Sequence, residues 1–338
     1  MNSNRFEAIT RRYGKLRIAI AGDFCLDRYL EIDPARREVS IETGLHVYNV
    51  QNVRSQPGGA GTILNNLVAL GVKQIFPVGF CGEDGEGYEL RRALAAKRGV
   101  KLDHFFETSD RKTFTYCKPL VMEAGKPPRE LNRFDRKNWT KTPTPVSARI
   151  SQRLDSVSAK VDGLILLSQV EVPETGVLTR IVLEKVRDVA RKRPGLTILA
   201  DSRTGFRNFP PVILKMNAGE LKALSGLKPK CGLRETENAT STLARRNQQA
   251  VFVTLAERGI MAAAPDGAIH NVPALPVRGP IDIVGAGDAV TANLMVALAA
   301  GANVSEAMEL ANAAASVVIH QLGTTGTASV EQLRERIV

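Results

Sequence analysis

Five short runs of almost unbroken apolar residues constrain this chain more than any other feature. They are "LRIAIAG" (16–22), "IFPVG" (75–79), "GLILLS" (163–168), "LTILAD" (196–201) and "AVFVTL" (250–255). A strand that faces water on one side alternates apolar with polar residues, whereas a run without alternation needs cover on both faces. Between the runs lie helical patterns over 60–71, 86–98 (ending at Gly99), 174–193 (closed by Pro194 and Gly195) and 234–247. Strands that alternate with helices in this way predict an α/β fold with a doubly wound, mostly parallel sheet and helices on both faces. With 338 residues, 43% of them apolar, the chain can build one large core, and a single domain over 1–338 is expected.

Two stretches break the alternation. Residues 29–57 and 107–135 are β-branched and polar, and "HVYNVQNV" and "KTFTYCKPLVM" read as half-exposed strands. Together they predict a small β-layer projecting from the sheet edge as a lid. The N-terminus reads as a short helix feeding the first strand. The last third is helical: one helix from about 288 to Gly301, then a second, capped by Asn303 or Ser305 with Glu306 behind it, running to Gly323.

Several function classes recede on composition. The net charge of +11 comes from basic residues spread along the chain, with only 5% aromatics and no aromatic-interleaved basic block, so a solvated basic surface is favoured over nucleic-acid binding. Anionic small-molecule substrates are the second reading of that charge. Cys25, Cys81, Cys117 and Cys231 form no C-x-x-C pair, and His46, His104, His270 and His320 are as dispersed, so neither a disulfide framework nor a zinc site is expected. There is no apolar run long enough to span a membrane and no signal-peptide pattern, so a cytoplasmic protein without membrane partners is expected.

The stretch "IDIVGAGDAVTANL" (281–294) puts Gly285, Ala286, Gly287 and Asp288 at the mouth of a probable helix. Glycines there cost helix stability. Two readings stay open on these residues alone. One is a tight strand-to-helix turn with Asp288 favourable to the helix dipole. The other is an anion cradle, with bare N–H groups aimed at a phosphate and a carboxylate beside them to take a proton. The G-x-x-x-x-G-K-[ST] loop is absent, and "AGDFCLDRY" after the first strand lacks G-x-G-x-x-G.

"DIVGAGDAV" resembles the D-T-x-G-A-G-D hallmark of the ribokinase-like (PfkB) sugar kinases, and "PGGAGTILNNLVALG" with "VGFCGEDGEG" resembles that family's second signature. "GDFCLDRY", "KMNAGE", "VTLAERG" and "ANAAASVVIHQLGTTGT" extend the match over nearly the whole chain in order, most closely to the heptose-7-phosphate kinase branch. The resemblance implies an ATP-dependent kinase using Mg²⁺, with room for a monovalent cation (K⁺). It makes Asp288 the base that deprotonates a sugar hydroxyl, and the N–H groups of Gly285, Ala286 and Gly287 the stabilisers of charge on the transferred phosphoryl group. Asn217 and Glu220 match its N-x-x-E, which holds Mg²⁺ and phosphates largely through water. Thr254, Gly259 and Asn312 match positions around the nucleotide. Asp27 matches the acidic sugar-binding position and Gly58–Gly59 its close backbone contact; Asp23 either shares the sugar or caps its turn.

The chain departs from the pattern where the sugar is read. The Asn after the double glycine falls at Thr62, the hallmark Thr at Ile283, S-D-Y-x-K-G at "SQVEVPETG" (168–176), and D-P-K at Asp201-Ser202-Arg203. These changes leave phosphoryl transfer intact and open the identity of the acceptor. Heptose enzymes are often fused to an adenylyltransferase, for which 338 residues leave no room. Lid cations (Arg28, Arg36, Arg37, Lys112, Lys118, Arg129, Arg133) favour a phosphorylated acceptor, and uncovered lid edges favour a homodimer. A non-catalytic sensor that kept the fold is the rival reading, weakened by the intact 285–288 set.

Overall fold

The computed structural model describes residues 1–338. In chain order its elements are α1 (Ser3–Thr10), β1 (Arg17–Gly22), β2 (Phe24–Val39), β3 (His46–Gly59), α2 (Ala60–Ala69), β4 (Gln74–Gly82), α3 (Gly85–Ala95), β5 (Phe105–Thr108), β6 (Phe114–Val121), β7 (Arg129–Glu130), β8 (Phe134–Arg136), α4 (Thr144–Ser158), β9 (Gly163–Ser168), α5 (Arg180–Lys192), β10 (Thr197–Ser202), β11 (Ile213–Asn217), α6 (Ala218–Ser225), α7 (Leu233–Asn247), β12 (Val251–Thr254), β13 (Ile260–Ala263), β14 (Ile269–Val272), α8 (Ala286–Ala299), α9 (Val304–Val318) and α10 (Val330–Ile337).

The apolar runs do what unbroken hydrophobicity demands. Along β1, Ile18 and Ile20 enter one hydrophobic core while Ala19 and Ala21 enter another on the opposite side. The first core is completed by α1, α2, α3, α8, α9 and α10, the second by α4, α5, α6 and α7. Between them lies a nine-stranded sheet in the order β14-β13-β12-β11-β10-β9-β1-β4-β5. Strands β5 to β12 along that path run parallel, and the β13–β14 hairpin closes the far edge antiparallel. This is the doubly wound α/β architecture the sequence predicts.

A second sheet of five strands, β3-β2-β6-β7 with β8 also on β6, stands apart from the first. It occupies 24–59 and 114–136, not 29–57 and 107–135: β2 begins directly after β1, and β5, at the start of the second stretch, pairs with β4 in the core sheet. Two helices also differ from expectation. α5 starts at Arg180 with Thr179 as N-cap, because the chain after β9 is drawn into a loop described below. α9 carries the expected Asn303–Glu306 capping box but stops at Val318, where the Asp282 N–H donates to the Ile319 carbonyl and the chain turns back. The 320–327 loop that follows lies against Gly285.

Candidate active site

Phosphoryl chemistry needs a cradle for charge and a base, and the start of α8 supplies both. Gly285 is its N-cap with φ +85°, in the left-handed region where glycine alone is unstrained. Ala286, expected to offer a free N–H, instead donates to the Ile283 carbonyl at 3.2 Å to close the turn. The next two N–H groups, of Gly287 and Asp288, find no protein acceptor, as the first turn of a helix leaves them. A Cβ on Gly287 would lie 3.3 Å from Lys215 Nζ, so glycine keeps a buried ammonium in view of the helix start.

That ammonium anchors the site's electrostatics. Lys215 Nζ donates to Asp201 Oδ2 at 2.8 Å, and Thr291 Oγ1 donates to the same oxygen at 2.8 Å. Burial lowers the Lys215 pKa most; the charge and hydrogen bond of Asp201, with the charges of Asp288 and Glu220, together more than reverse this and hold the side chain cationic. Asp288, half-buried in the first turn of α8, has its carboxyl pushed up to about 7, first by burial and then by the negative charge of Asp201; Lys215 and Arg203 pull the other way. A carboxyl near neutrality is a base matched to a hydroxyl donor at cellular pH.

The second sheet faces this helix start with its own acid. Residues 25, 27 and 29 of β2 share one face, and register carries the face across the sheet: Gly58, Gln56 and Arg54 on β3, Phe114, Tyr116 and Lys118 on β6. Asp27 is 5% exposed; burial raises its carboxyl against the pull of Lys118, 3.5 Å away. Gly58 is required beside it, since a Cβ there would lie 2.5 Å from Asp27 Oδ2. A Cβ on Gly59 would lie 2.6 Å from the Asp23 carbonyl. Gln56 donates at 2.7 Å to Thr325, whose Cα and Cβ are the atoms nearest the Gly285 α-carbon's open side, so the face is fastened to the cradle.

Other expected residues prove to hold structure. Asp23 accepts from the backbone N–H groups of Val177 (2.7 Å), Gln169 (2.8 Å) and Val170 (3.3 Å). It staples the 169–177 loop, which supports the turn-cap reading of the two. Thr62 is 2% exposed in the first turn of α2. Asn217 and Glu220 form a reciprocal capping box on α6, Asn217 Oδ1 accepting from the Glu220 N–H at 2.9 Å and Glu220 Oε2 from the Asn217 N–H at 2.7 Å. Glu220 Oε1 stays free, and burial with the nearby Asp201 charge raises this carboxyl. Asn312 donates to the Pro273 carbonyl at 2.7 Å, and Gly259, at φ +92°, fits a turn where a Cβ would meet the backbone of 272–274. Thr254 ends β12 opposite Ile260, beside that turn.

Lys215 and Tyr116 carry no role in the sequence reading, and of the two only Lys215 leaves a signal, a lone lysine in the apolar run "VILKMN". Arg203 is exposed near Asp288 and Glu220 and, with the Gln169 amide turned to present its oxygen, donates to it at 2.7 Å. Three of the lid cations are already committed to carboxylates: Arg28 to Glu89 at 2.7 Å, Arg36 to Asp33 at 3.7 Å, Arg133 to Asp135 at 3.0 Å. No three acidic, histidine or cysteine side chains converge as a metal cluster, and no helix is long and apolar enough to cross a membrane.

Comparison with known proteins bears on the fold and the family. The model of the pfkB family carbohydrate kinases matches residues 24–331. The chain is 30% identical over 337 residues to the bifunctional protein HldE of Geotalea uraniireducens, covering 99% of this chain and 66% of that protein, just under two thirds of its length. Among solved structures it resembles ribokinase of Arabidopsis thaliana complexed with ribose and ATP (TM-score 0.68, 19% identity, 95% and 98% of the two chains). It also resembles phosphofructokinase-2 of Escherichia coli in complex with potassium (TM-score 0.70, 17% identity, 95% and 97%).

Proposed function

Because this chain belongs to the pfkB family of carbohydrate kinases, and so transfers a phosphoryl group to a sugar hydroxyl, we propose that its acceptor is a sugar phosphate, D-glycero-D-manno-heptose 7-phosphate phosphorylated at O1. One observation carries the phosphoryl-transfer part: Asp288, its carboxyl near neutrality, stands beside free N–H groups and a buried cation at a helix start, opposite the acid of the second sheet. In this reading Asp288 takes the proton from the acceptor hydroxyl as it attacks the γ-phosphorus of ATP. The Gly287 and Asp288 N–H groups and Lys215 stabilise the charge that develops on the phosphoryl oxygens. Asp27 accepts hydroxyl hydrogens of the sugar and orients it.

The carboxylates fit a magnesium ion only in company with the phosphates. Glu220 offers one uncommitted oxygen, and an ion of this kind keeps several waters. When bound, Mg²⁺ supplies charge neutralisation between the phosphates, with Glu220 and Asn217 reaching it through water. A monovalent cation such as the potassium bound by E. coli phosphofructokinase-2 belongs to the same reading. Closure of the second sheet over the acceptor excludes water, which otherwise competes for the phosphoryl group. Four free cysteines suit the reducing cytoplasm.

The heptose assignment draws on the HldE likeness, and a panel tests it: ATP turnover with heptose 7-phosphate, fructose 6-phosphate and ribose 5-phosphate, each against its unphosphorylated sugar. Heptose 7-phosphate is expected to give the highest kcat/KM; a free sugar turned over best, with no response to salt, overturns the reading. The lid also carries a second expectation. Its far end exposes Val39, Tyr48, Val50 and Val53 on β2 and β3, with Ile41 and Leu45 in the turn between them, and a second copy is the simplest cover. Light scattering at micromolar concentration is expected to give the mass of a homodimer, and a monomer there argues against it.

A further inference from the structure

The site-facing side of the second sheet is built in rows, and one row has chemistry left over. Along β2 from its start, the first row is Gly58, Cys25 and Phe114; next come Gln56, Asp27 and Tyr116; beyond them come Arg54, Tyr29 and Lys118. The third row is basic at both ends of a tyrosine. The Arg54 guanidinium lies 4.4 Å from the Tyr29 ring centroid, and Lys118 Nζ lies 4.9 Å from it and 3.4 Å from the hydroxyl.

Arg54 differs from Arg28 and Arg133. Its Nε meets Glu31 at a long 3.4 Å, and its two terminal nitrogens have no partner, whereas Arg28 and Arg133 spend theirs on carboxylates. An open guanidinium fork matches two oxygens of a phosphate or carboxylate. The aromatic ring beneath holds it flat and limits the entropy lost on binding. Lys118 is pinned between Tyr29 and Asp27, so its ammonium is already in place.

We infer that Arg54 and Lys118 form the subsite for the anionic group the acceptor already carries, a phosphate monoester at the end of the sugar remote from the reacting hydroxyl. Spacing supports this. Two residues along a strand advance about 6.6 Å, so the basic row lies one such step beyond Asp27. A sugar whose ring hydroxyls meet Asp27 places the ester of its terminal carbon about that far along. On binding, Asp27 exchanges part of its pairing with Lys118 for sugar hydroxyls, and the ester takes the ammonium and the free fork. A neutral sugar gains nothing from this row.

The inference rests on the sugar-phosphate reading above, and the experiment separates the two. Arg54→Gln, which touches neither Asp27 nor the cradle, is compared with wild type on heptose 7-phosphate and on the unphosphorylated heptose. Lys118→Gln serves as a second variant, and the KM of ATP as a control. Arg54→Gln is expected to lower kcat/KM for the phosphorylated acceptor about 10–100-fold, the worth of one hydrogen bond to a charged group. It is expected to leave the neutral sugar within about 3-fold and to flatten the salt dependence of the phosphorylated acceptor. If wild type prefers the phosphorylated acceptor and both variants keep that preference, the inference falls alone. If wild type prefers the neutral sugar, the sugar-phosphate reading falls and the inference with it.

Discussion

Asp288→Asn is expected to lower kcat by about 10²–10⁴, the usual worth of a positioned base, while leaving the KM of ATP nearly unchanged. The pH dependence identifies the group further. With its carboxyl at about 7, wild-type kcat should fall about tenfold per unit below that pH, since the protonated acid cannot accept a proton. Stability should respond in the opposite sense. A carboxyl whose folded pKa stands above the ordinary 3.8 stabilises the folded chain most at low pH, and this contribution is lost as pH rises through 7. Asn never ionises, so Asp288→Asn should gain a few degrees in Tm over wild type at pH 8 and little at pH 4. Turnover within a few-fold of wild type, or a kcat flat from pH 5 to 8, would remove Asp288 from the role of base.

Lys215→Met should have the largest effect on the fold. It strands Asp201, whose side chain is only 13% exposed, with Thr291 as its remaining partner. Breaking a buried pair from one side costs roughly 3–5 kcal/mol, which corresponds to a Tm lower by roughly 5–15 °C. The variant also removes a charge that pulls the Asp288 carboxyl down, so the acidic limb of kcat should move above pH 7. A structural lysine alone would lower Tm and leave that limb where it was. Differential scanning calorimetry and a pH–rate profile measure both; an unchanged limb would confine Lys215 to holding the fold.

The fold was far more legible in the sequence than the site. Each of the five apolar runs became a core strand because a strand buried on both faces has no room for polar residues. α4 escaped notice because its buried stripe of Val146, Ile150, Leu154 and Val157 is interleaved with buried serines, 147 and 151 among them, which read as loop. The β13–β14 hairpin consists of four-residue strands, too short for periodicity to register. The cradle was legible because glycine, glycine and aspartate must be adjacent there to do their work.

Residues that cooperate across the cleft carry no such mark. Asp201, Lys215 and Thr291 are brought together by β10, β11 and α8, and the distance between them in the chain says nothing of their meeting. Asp23 was ambiguous for a related reason. A carboxylate four residues before Asp27 offers the same chemistry, and only the return of 169–177 over it decides that backbone amides take its oxygens.

The rows of the second sheet set a rule for insertions and deletions. Every side chain on the cradle-facing side of the sheet, from Cys25 to Tyr29 and from Phe114 to Lys118, sits at odd or even steps fixed by pleat, and the opposite parity is spent on α3, where Arg28 meets Glu86 and Glu89. One residue added to β2 between 25 and 29 would exchange the two sets, turning Tyr29 toward α3 and Arg28 toward the cradle. Two residues would lengthen the cleft and keep its lining. The irregularities that β2 does tolerate fall after Glu31, past the last of the three rows. Length changes in this strand before Glu31 are therefore confined to pairs, and from Ala35 on, where the strand is exposed, single residues leave the three rows in place.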